Sequence, residues 1–415
     1  MHVFWKATGL VVAGVAAVTL AFWLWIDSVA DRKWSAMARR VAELKAEFGS
    51  PEDPRPVLHG PPLAGDPLDD YVCAFQQVTG TRGPAQFSEL AEDLERARKA
   101  LDLPGGPSPI LSLPSLGPAV DRMRQGCRRT QWGRILTGLQ ASNMHFGPSD
   151  SPAALLARAA LLRARALQKE GRSGESADLV LETAQMANDV GHEGAEHLAL
   201  WIHERSADEL RLLIQEGRLS PIELGGVERD VELLERSFVT HRKWMRRFLI
   251  AAGSSLLEQE VHIRPMDTLR FGFSKRLACA SVFLWGDAWV RRVGDCDRKP
   301  WGEIQRLQEE WLRDLRSTSL PMEREIADLL VPEDKGARVR RGLARLRLLR
   351  LAAHYLSTGE WSEIEDPFGT KLLHSPRNGK LKAWSVGPDG TNDGGDGDWA
   401  DPKGRDIVLE IHRKP

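Results

Sequence analysis

A chain of 415 residues is long enough for one large domain or two to three ordinary ones. With 42% hydrophobic and 28% charged residues the composition is globular, which excludes a disordered chain. The formal net charge of −1 excludes global steering toward nucleic acid or an acidic ligand, so electrostatic arguments rest on local clusters.

The run from Ala7 to Ile26 carries no charged residue. Its twenty residues, at ~1.5 Å each, span about 30 Å, the thickness of a bilayer's hydrocarbon core. Lys6 precedes the run, and Asp27, Asp31, Arg32 and Lys33 follow it. Trp5, Trp23 and Trp25 stand near its ends, where indoles favour the interface. Residues 1–30 therefore read as a single transmembrane anchor. A cleaved signal peptide is the alternative, with Ser28-Val29-Ala30 offering small residues, but the apolar run exceeds the usual length of roughly 7–15. Arg32, Lys33, Arg39 and Arg40 after the run outweigh Lys6 before it, which by itself places the body in the cytoplasm.

Residues 31–67 read as stalk and linker. Met37, Val41, Leu44 and Phe48 mark a stalk helix over 35–48, and Pro and Gly dominate 50–67. Residues 68–360 read as a helical body. Helices are expected at 69–77, 87–101, 152–167, 175–190, 196–216, 222–252, 275–292, 301–315 and 335–356, with a breaker region at 103–118. In the last helix Arg338, Arg341 and Arg345 form a basic stripe. It reads as a solvated face, with binding of anionic lipid or an acidic partner as the alternative.

Ala177, Leu181 and Ala184 match second-helix positions of a tetratricopeptide repeat, so 152–190 resembles one TPR hairpin. The first-helix Trp and Gly are absent and no second copy follows about 34 residues on, so no repeat array is expected.

Cys73, Cys127, Cys279 and Cys296 include no CxxC pair, which excludes a zinc ribbon or a thioredoxin-like site. Nearest-neighbour disulfides, Cys73–Cys127 and Cys279–Cys296, suit an exported body, and four buried thiols are the alternative. His192 and His197 flank Glu193 and Glu196 but stand five residues apart. A zincin helix needs four, so that both imidazoles share one face. No G-x-S-x-G, Walker A or G-x-G-x-x-G sequence occurs. No residue set argues for catalysis, no small-molecule substrate is indicated, and no nucleic-acid partner is expected.

Composition changes after Trp361, and residues 361–415 read as a small antiparallel β cap. Strands are expected at 371–374, 381–386 and 407–412, with Asn378-Gly379 as a tight hairpin turn. From Ser385 to Asp406 inclusive stand six Asp and six Gly residues, a density of carboxylates that repels itself unless a cation or water screens it. Hard oxygen ligands with Gly at sharp turns are what Ca²⁺ requires. Asp389 to Gly394 fits the first half of an EF-hand loop, but its twelfth position is Ala400, where a bidentate Glu is needed.

The run D-P-F-G from Asp366, W-S-V-G-P-D-G from Trp384, and the late Asp406-Ile407 resemble the C-terminal end of the major pseudopilins of type II secretion systems. The resemblance covers about 50 residues. It implies Ca²⁺ in the loop, with Asp389, Asp406 and the Val386 carbonyl as ligands. Asp393, Asp396, Asp398 and Asp401 are candidates for the remaining positions. The apolar run lacks the acid that a pilin assembly helix carries. The whole plan of anchor, helical body and cap also resembles a group of bacterial membrane-anchored envelope proteins, which supplies an architecture and no activity.

The expectation is a mainly α protein: one N-terminal transmembrane helix, a helical body with a TPR-like hairpin, and a C-terminal antiparallel β cap. Its function is that of a non-enzymatic envelope protein in the cytoplasmic membrane. The body lies outside, in the periplasm, and binds a protein partner, and Ca²⁺ stabilises the cap. The alternatives are an accessory part of a pseudopilin-like secretion or filament system, and a hydrolase with a dispersed site.

Overall fold

The computed structural model describes residues 2–48, 55–80, 86–102, 116–131, 151–192, 196–238, 246, 249–250, 253–254, 256–257, 273–293, 299–318, 335–377, 380–400 and 405–412. The chain is mainly helical with one small antiparallel sheet. It divides into two compact units. One comprises Met1–Ser50, Phe248–Gly294 and Glu309–Pro332, and the other Pro51–Arg247, Asp295–Gln308 and Glu333–Pro415.

In the first unit, α1 (His2–Phe48) is one helix of 47 residues that joins the apolar run and the expected stalk without a break. No Pro interrupts it, so nothing forces a kink. Val18, Leu24 and Trp25, within the apolar run, are 71%, 63% and 61% exposed. From Ala30 the helix changes character. Ala30, Trp34, Met37, Val41 and Leu44 recur every three or four residues and are buried. This stripe meets α9 (Phe273–Val293). Lys33 Nζ donates to Ser281 Oγ (2.6 Å) and Arg40 Nε to Asp287 Oδ1 (2.9 Å), so residue numbers rise together and the two helices run parallel. Among the described residues no helix is long and apolar enough to cross a membrane. The run from Ala7 to Ile26 falls only partly within that set, because the side chains of residues 2–16 lie outside it.

The second unit contains α2 (Pro67–Thr79), α3 (Phe87–Asp102), α4 (Leu116–Cys127), α5 (Pro152–Lys169), α6 (Ser173–His192), α7 (Glu196–Gln215), α8 (Pro221–Ser237) and α11 (Lys335–Thr358). The first turns of α10 (Trp301–Thr318) belong to it as well. Asp66, Ser151 and Ser220 cap α2, α5 and α8, each followed by a Pro in the first turn, where the missing N–H costs nothing. Glu223 completes a capping box with Ser220. Helix α5 is almost wholly buried because Ala153, Ala154, Ala157, Ala160 and Ala164 let its neighbours approach closely. It pairs with α6 through a short turn at Gly171 (φ 78°), α6 packs on α7, and α8 packs on α6 and α11.

The cap is a sheet of order β1-β2-β3, antiparallel throughout: β1 (Leu373–Arg377), β2 (Lys380–Ser385) and β3 (Ile407–His412). Arg377 pairs with Lys380, so the expected hairpin turn falls at residues 378–379, outside the described set. Ile407, Leu409 and Ile411 alternate along β3 and are buried, and both α11 and α7 pack on this strand.

In the basic stripe of α11, Arg338 and Arg341 are half-buried, and Arg345 does not face solvent. Arg345 is only 5% exposed and donates to the carbonyls of Trp399 and Ala400. Buried Arg340 donates to the carbonyls of Pro367 and Lys299, and Arg347 to that of Glu365. Arg340 and Arg345 satisfy loop carbonyls that would otherwise be desolvated without a donor, so the helix holds the cap through these arginines.

Candidate functional site

The loop between β2 and β3 is built on a buried carboxylate at its entrance. Asp366 Oδ1 accepts from Phe368 N (3.0 Å) and Ser385 Oγ (2.6 Å), and its Oδ2 accepts from Val386 N (2.9 Å). Burial pushes the Asp366 carboxyl up, against these three bonds, so its role is to fix the chain where the loop begins. Gly387 (φ 69°) is obligatory here, since an added Cβ would lie 2.0 Å from the Arg405 carbonyl oxygen. Gly397 bridges Asp406, and a Cβ there would stand 1.8 Å from the Asp406 carbonyl oxygen. The loop is therefore pinched shut at its base.

Asp406 is fully buried inside this pinch. Its Oδ2 accepts from Gly395 N (2.7 Å), while its Oδ1 has no hydrogen-bond partner. Burial pushes the Asp406 carboxyl up, the Gly395 and Asp393 N–H groups oppose this, and the charges of Asp393 and Asp389 push it up further. The structure thus brings Asp389 and Asp393 within electrostatic reach of Asp406. Asp389 Oδ1 accepts from Thr391 N (2.9 Å) and Asp398 Oδ1 from Ala400 N (3.2 Å), each within its own turn, and Asp396 faces Arg405 (3.5 Å). Asp401 lies outside the described residues. Val386 stands at the loop entrance with its N–H bound to Asp366.

Among the described residues no three His, Cys, Asp or Glu side chains converge to hold a metal by themselves. A cation here would draw much of its shell from backbone carbonyls and water, which Ca²⁺ accepts. The donor set fits that ion: hard oxygens, Gly turns, and a buried carboxylate oxygen lacking any other partner.

The expected Cys73–Cys127 disulfide does not form. Cys73 and Cys127 are free thiols, and Cys296, the expected partner of Cys279, lies outside the described residues, as does any pair it makes. Cys127 Sγ donates to the Glu182 carbonyl (3.2 Å) and lies 3.5 Å from the Tyr71 hydroxyl. Helix α2 points Tyr71 at Cys127, and Cys73, two residues on, therefore points to the opposite side of the helix. Burial pushes both the Cys127 thiol and the Tyr71 hydroxyl up, so neither is a nucleophile near neutral pH.

A second cluster escaped the sequence reading because it lies in the linker. Residues 55–65 cross the helical unit as a strap. Leu63 bridges Arg129, with Leu63 N donating to the Arg128 carbonyl (2.8 Å). Arg55, fully enclosed, bonds Asp189 and the carbonyls of Cys127 and Arg129. His59 Nε2 lies 3.0 Å from Asp230 and 3.3 Å from Asp178, and Nδ1 lies 3.7 Å from Glu182. Burial pulls the His59 imidazolium down, but the bonds to Asp230 and Glu182 and the Asp178 charge outweigh it and raise the pKa to about 10. A raised folded pKa contributes stability that is full below the unfolded value of 6.5 and is lost as pH rises toward 10. The urea midpoint should therefore fall between pH 7 and 10, and His59→Gln should flatten that slope. An equal slope in both proteins would assign the loss to other groups.

No protein-family model, curated protein or solved structure matches this chain. The pseudopilin resemblance rests on the residues of the C-terminal module alone.

Proposed function

We propose that the chain is a membrane-anchored, non-enzymatic envelope protein whose helical body binds a protein partner and whose C-terminal cap is stabilised by Ca²⁺. The observation that carries the anchor is on α1. Its uncharged run presents Val18, Leu24 and Trp25 outward, whereas the same helix buries a regular apolar stripe from Ala30 onward. Exposed apolar side chains on a charge-free span are stable in lipid and costly in water. Val386, Asp389, Asp393 and Asp406 would hold the cation, which would supply charge neutralisation at the buried Asp406 carboxylate.

The body is proposed to lie outside the cytoplasmic membrane. That placement now rests on the calcium reading, because Cys73 and Cys127 form no disulfide that would require an oxidising compartment. Full-length protein should remain in the membrane pellet after alkaline carbonate extraction, and the body should be cut by protease added to spheroplasts. Release by carbonate would overturn the anchor, and protection in spheroplasts with cleavage only after lysis would reverse the orientation.

One observation favours the second reading, an accessory component of a pseudopilin-like system. The Asp366 clamp and the late Asp406 stand at the two ends of one pinched loop, and both belong to the run that carries the resemblance. Recovery of pilus or secretion subunits with the solubilised chain would favour it over a stand-alone binding protein.

A further inference from the structure

The Asp/Gly loop is fastened to the helical unit on both sides of its acidic stretch. On one side, Trp301 Nε1 donates to the Pro388 carbonyl (2.7 Å), and the Trp301 ring lies edge-on to Phe368 (5.8 Å). On the other, Trp399 is 4% exposed and docks where α7 meets α11. Its Nε1 donates to Asp208 Oδ1 (2.7 Å). The Arg211 and Arg345 guanidiniums lie 5.6 and 5.7 Å from its ring. Arg345 also donates to the Trp399 carbonyl from Nε (3.1 Å) and Nη2 (2.8 Å), and to the Ala400 carbonyl (2.9 Å). An indole in a loop of Asp and Gly has no core of its own to enter, and it is the neighbouring helices that enclose it.

Asp406 connects the two features. It holds Gly395 through its carboxylate and Gly397 through a backbone bridge, and Trp399 follows two residues later. The buried Oδ1 of Asp406 lacks a partner, and Asp389 and Asp393 add like charge to it. Charge repulsion in the loop thus acts on the same stretch of backbone that positions Trp399.

We propose that the cap is a cation-dependent latch: a divalent cation in the loop and the docking of Trp399 on α7 and α11 form one coupled equilibrium. The inference rests on the calcium reading of the loop. Cation binding draws the carboxylates together, sets residues 395–399, and seats the indole between Arg211 and Arg345. Loss of the cation releases the indole and uncovers Asp208, Arg211 and Arg345. Coupling between sites is reciprocal, so weakening the indole seat must weaken cation binding by the same factor.

The test is calorimetric titration of calcium chloride into the full chain in detergent, comparing wild type with Trp399→Ala and Asp208→Ala. Neither residue belongs to the proposed ligand set, and Asp208→Ala is a partly exposed helix substitution that should leave the fold intact. Calcium affinity should fall about 5- to 150-fold in Trp399→Ala, the usual range of coupled sites, and by less in Asp208→Ala. Calcium should also protect the loop from trypsin in wild type and fail to do so in Trp399→Ala. Unchanged affinity in both variants would overturn the latch and leave the calcium reading standing. No calcium binding by wild type would overturn both.

Discussion

Arg55→Met should destabilise the helical unit by about 3–5 kcal/mol, the cost of breaking one side of a buried ion pair. Arg55 Nε donates to Asp189 Oδ1 (2.8 Å), its Nη2 to Asp189 Oδ2, and its Nη1 to the Cys127 carbonyl (3.0 Å) and to that of Arg129. Without the guanidinium, Asp189 stays buried with only the Tyr71 hydroxyl (2.5 Å) and a long bond from Gln185 (3.4 Å). Two strap-binding carbonyls lose their donor as well. The double variant Arg55→Met, Asp189→Leu should recover part of the loss, because it removes the stranded charge. Urea unfolding of the three proteins checks this. A loss below about 1 kcal/mol in the single variant, typical of an exposed pair, would mean that the strap is not fastened as described.

The second large effect belongs to Asp406. In calcium at a hundredfold excess over its dissociation constant, the wild-type cap should gain about 2.7 kcal/mol. In a unit of this size that raises the melting temperature by about 5–10 °C. Asp406→Asn should behave differently in the two conditions. With chelator present it should melt no lower than wild type, because the amide relieves the repulsion from Asp393 and Asp389 while its carbonyl still accepts from Gly395. With calcium present it should show no rise. A variant that melts well below wild type in chelator would identify Asp406 as a purely structural carboxylate, like Asp366.

Much of this architecture was legible in the residues. The starts of α2, α3, α5, α10 and α11 follow from caps, prolines and the helical phase of apolar residues, which are local signals. The three strands and the loop between β2 and β3 follow from alternation and from the Asp/Gly composition. What escaped was set by contacts distant in sequence. Helix α4 (Leu116–Cys127) was hidden beside a Pro/Gly-rich stretch, and its stability comes from packing on α2, α5 and α6. Helix α8 was expected to run on to 252, but Phe238 leaves the helical conformation (ψ 133°) with no Gly or Pro to mark the end. Phe238 is buried beside His203 (4.8 Å), and that distant partner fixes where the helix stops. The strap reads as an extended linker because Arg55 and His59 find their carboxylates on α6 and α8, more than a hundred residues away.

The same division holds at the candidate site. Asp389, Asp393 and Asp406 follow from composition and resemblance, and in the structure the charges of Asp389 and Asp393 act on Asp406. Asp208, Arg211, Trp301 and Arg345 follow from neither, because each comes from a helix remote from the loop. The signal that was available was Trp399 itself, a lone indole among Asp and Gly that needs an apolar or cationic seat outside its own segment. The arginines of α11 misled for the opposite reason. A periodic basic stripe usually faces water, and here one member, Arg345, meets loop carbonyls brought in by the cap.

The central claim is that the Asp/Gly loop is a cation site built around Asp406. It is tested most directly by titrating calcium chloride into the chelator-stripped full chain in detergent, with magnesium in the buffer as a competitor. The account predicts saturable binding of about one Ca²⁺ per chain, resistant to magnesium because the loop offers a flexible oxygen cage and not a rigid octahedron. It also predicts loss of that binding in Asp406→Asn. Titration without saturable heat, or equal binding by wild type and Asp406→Asn, would contradict it.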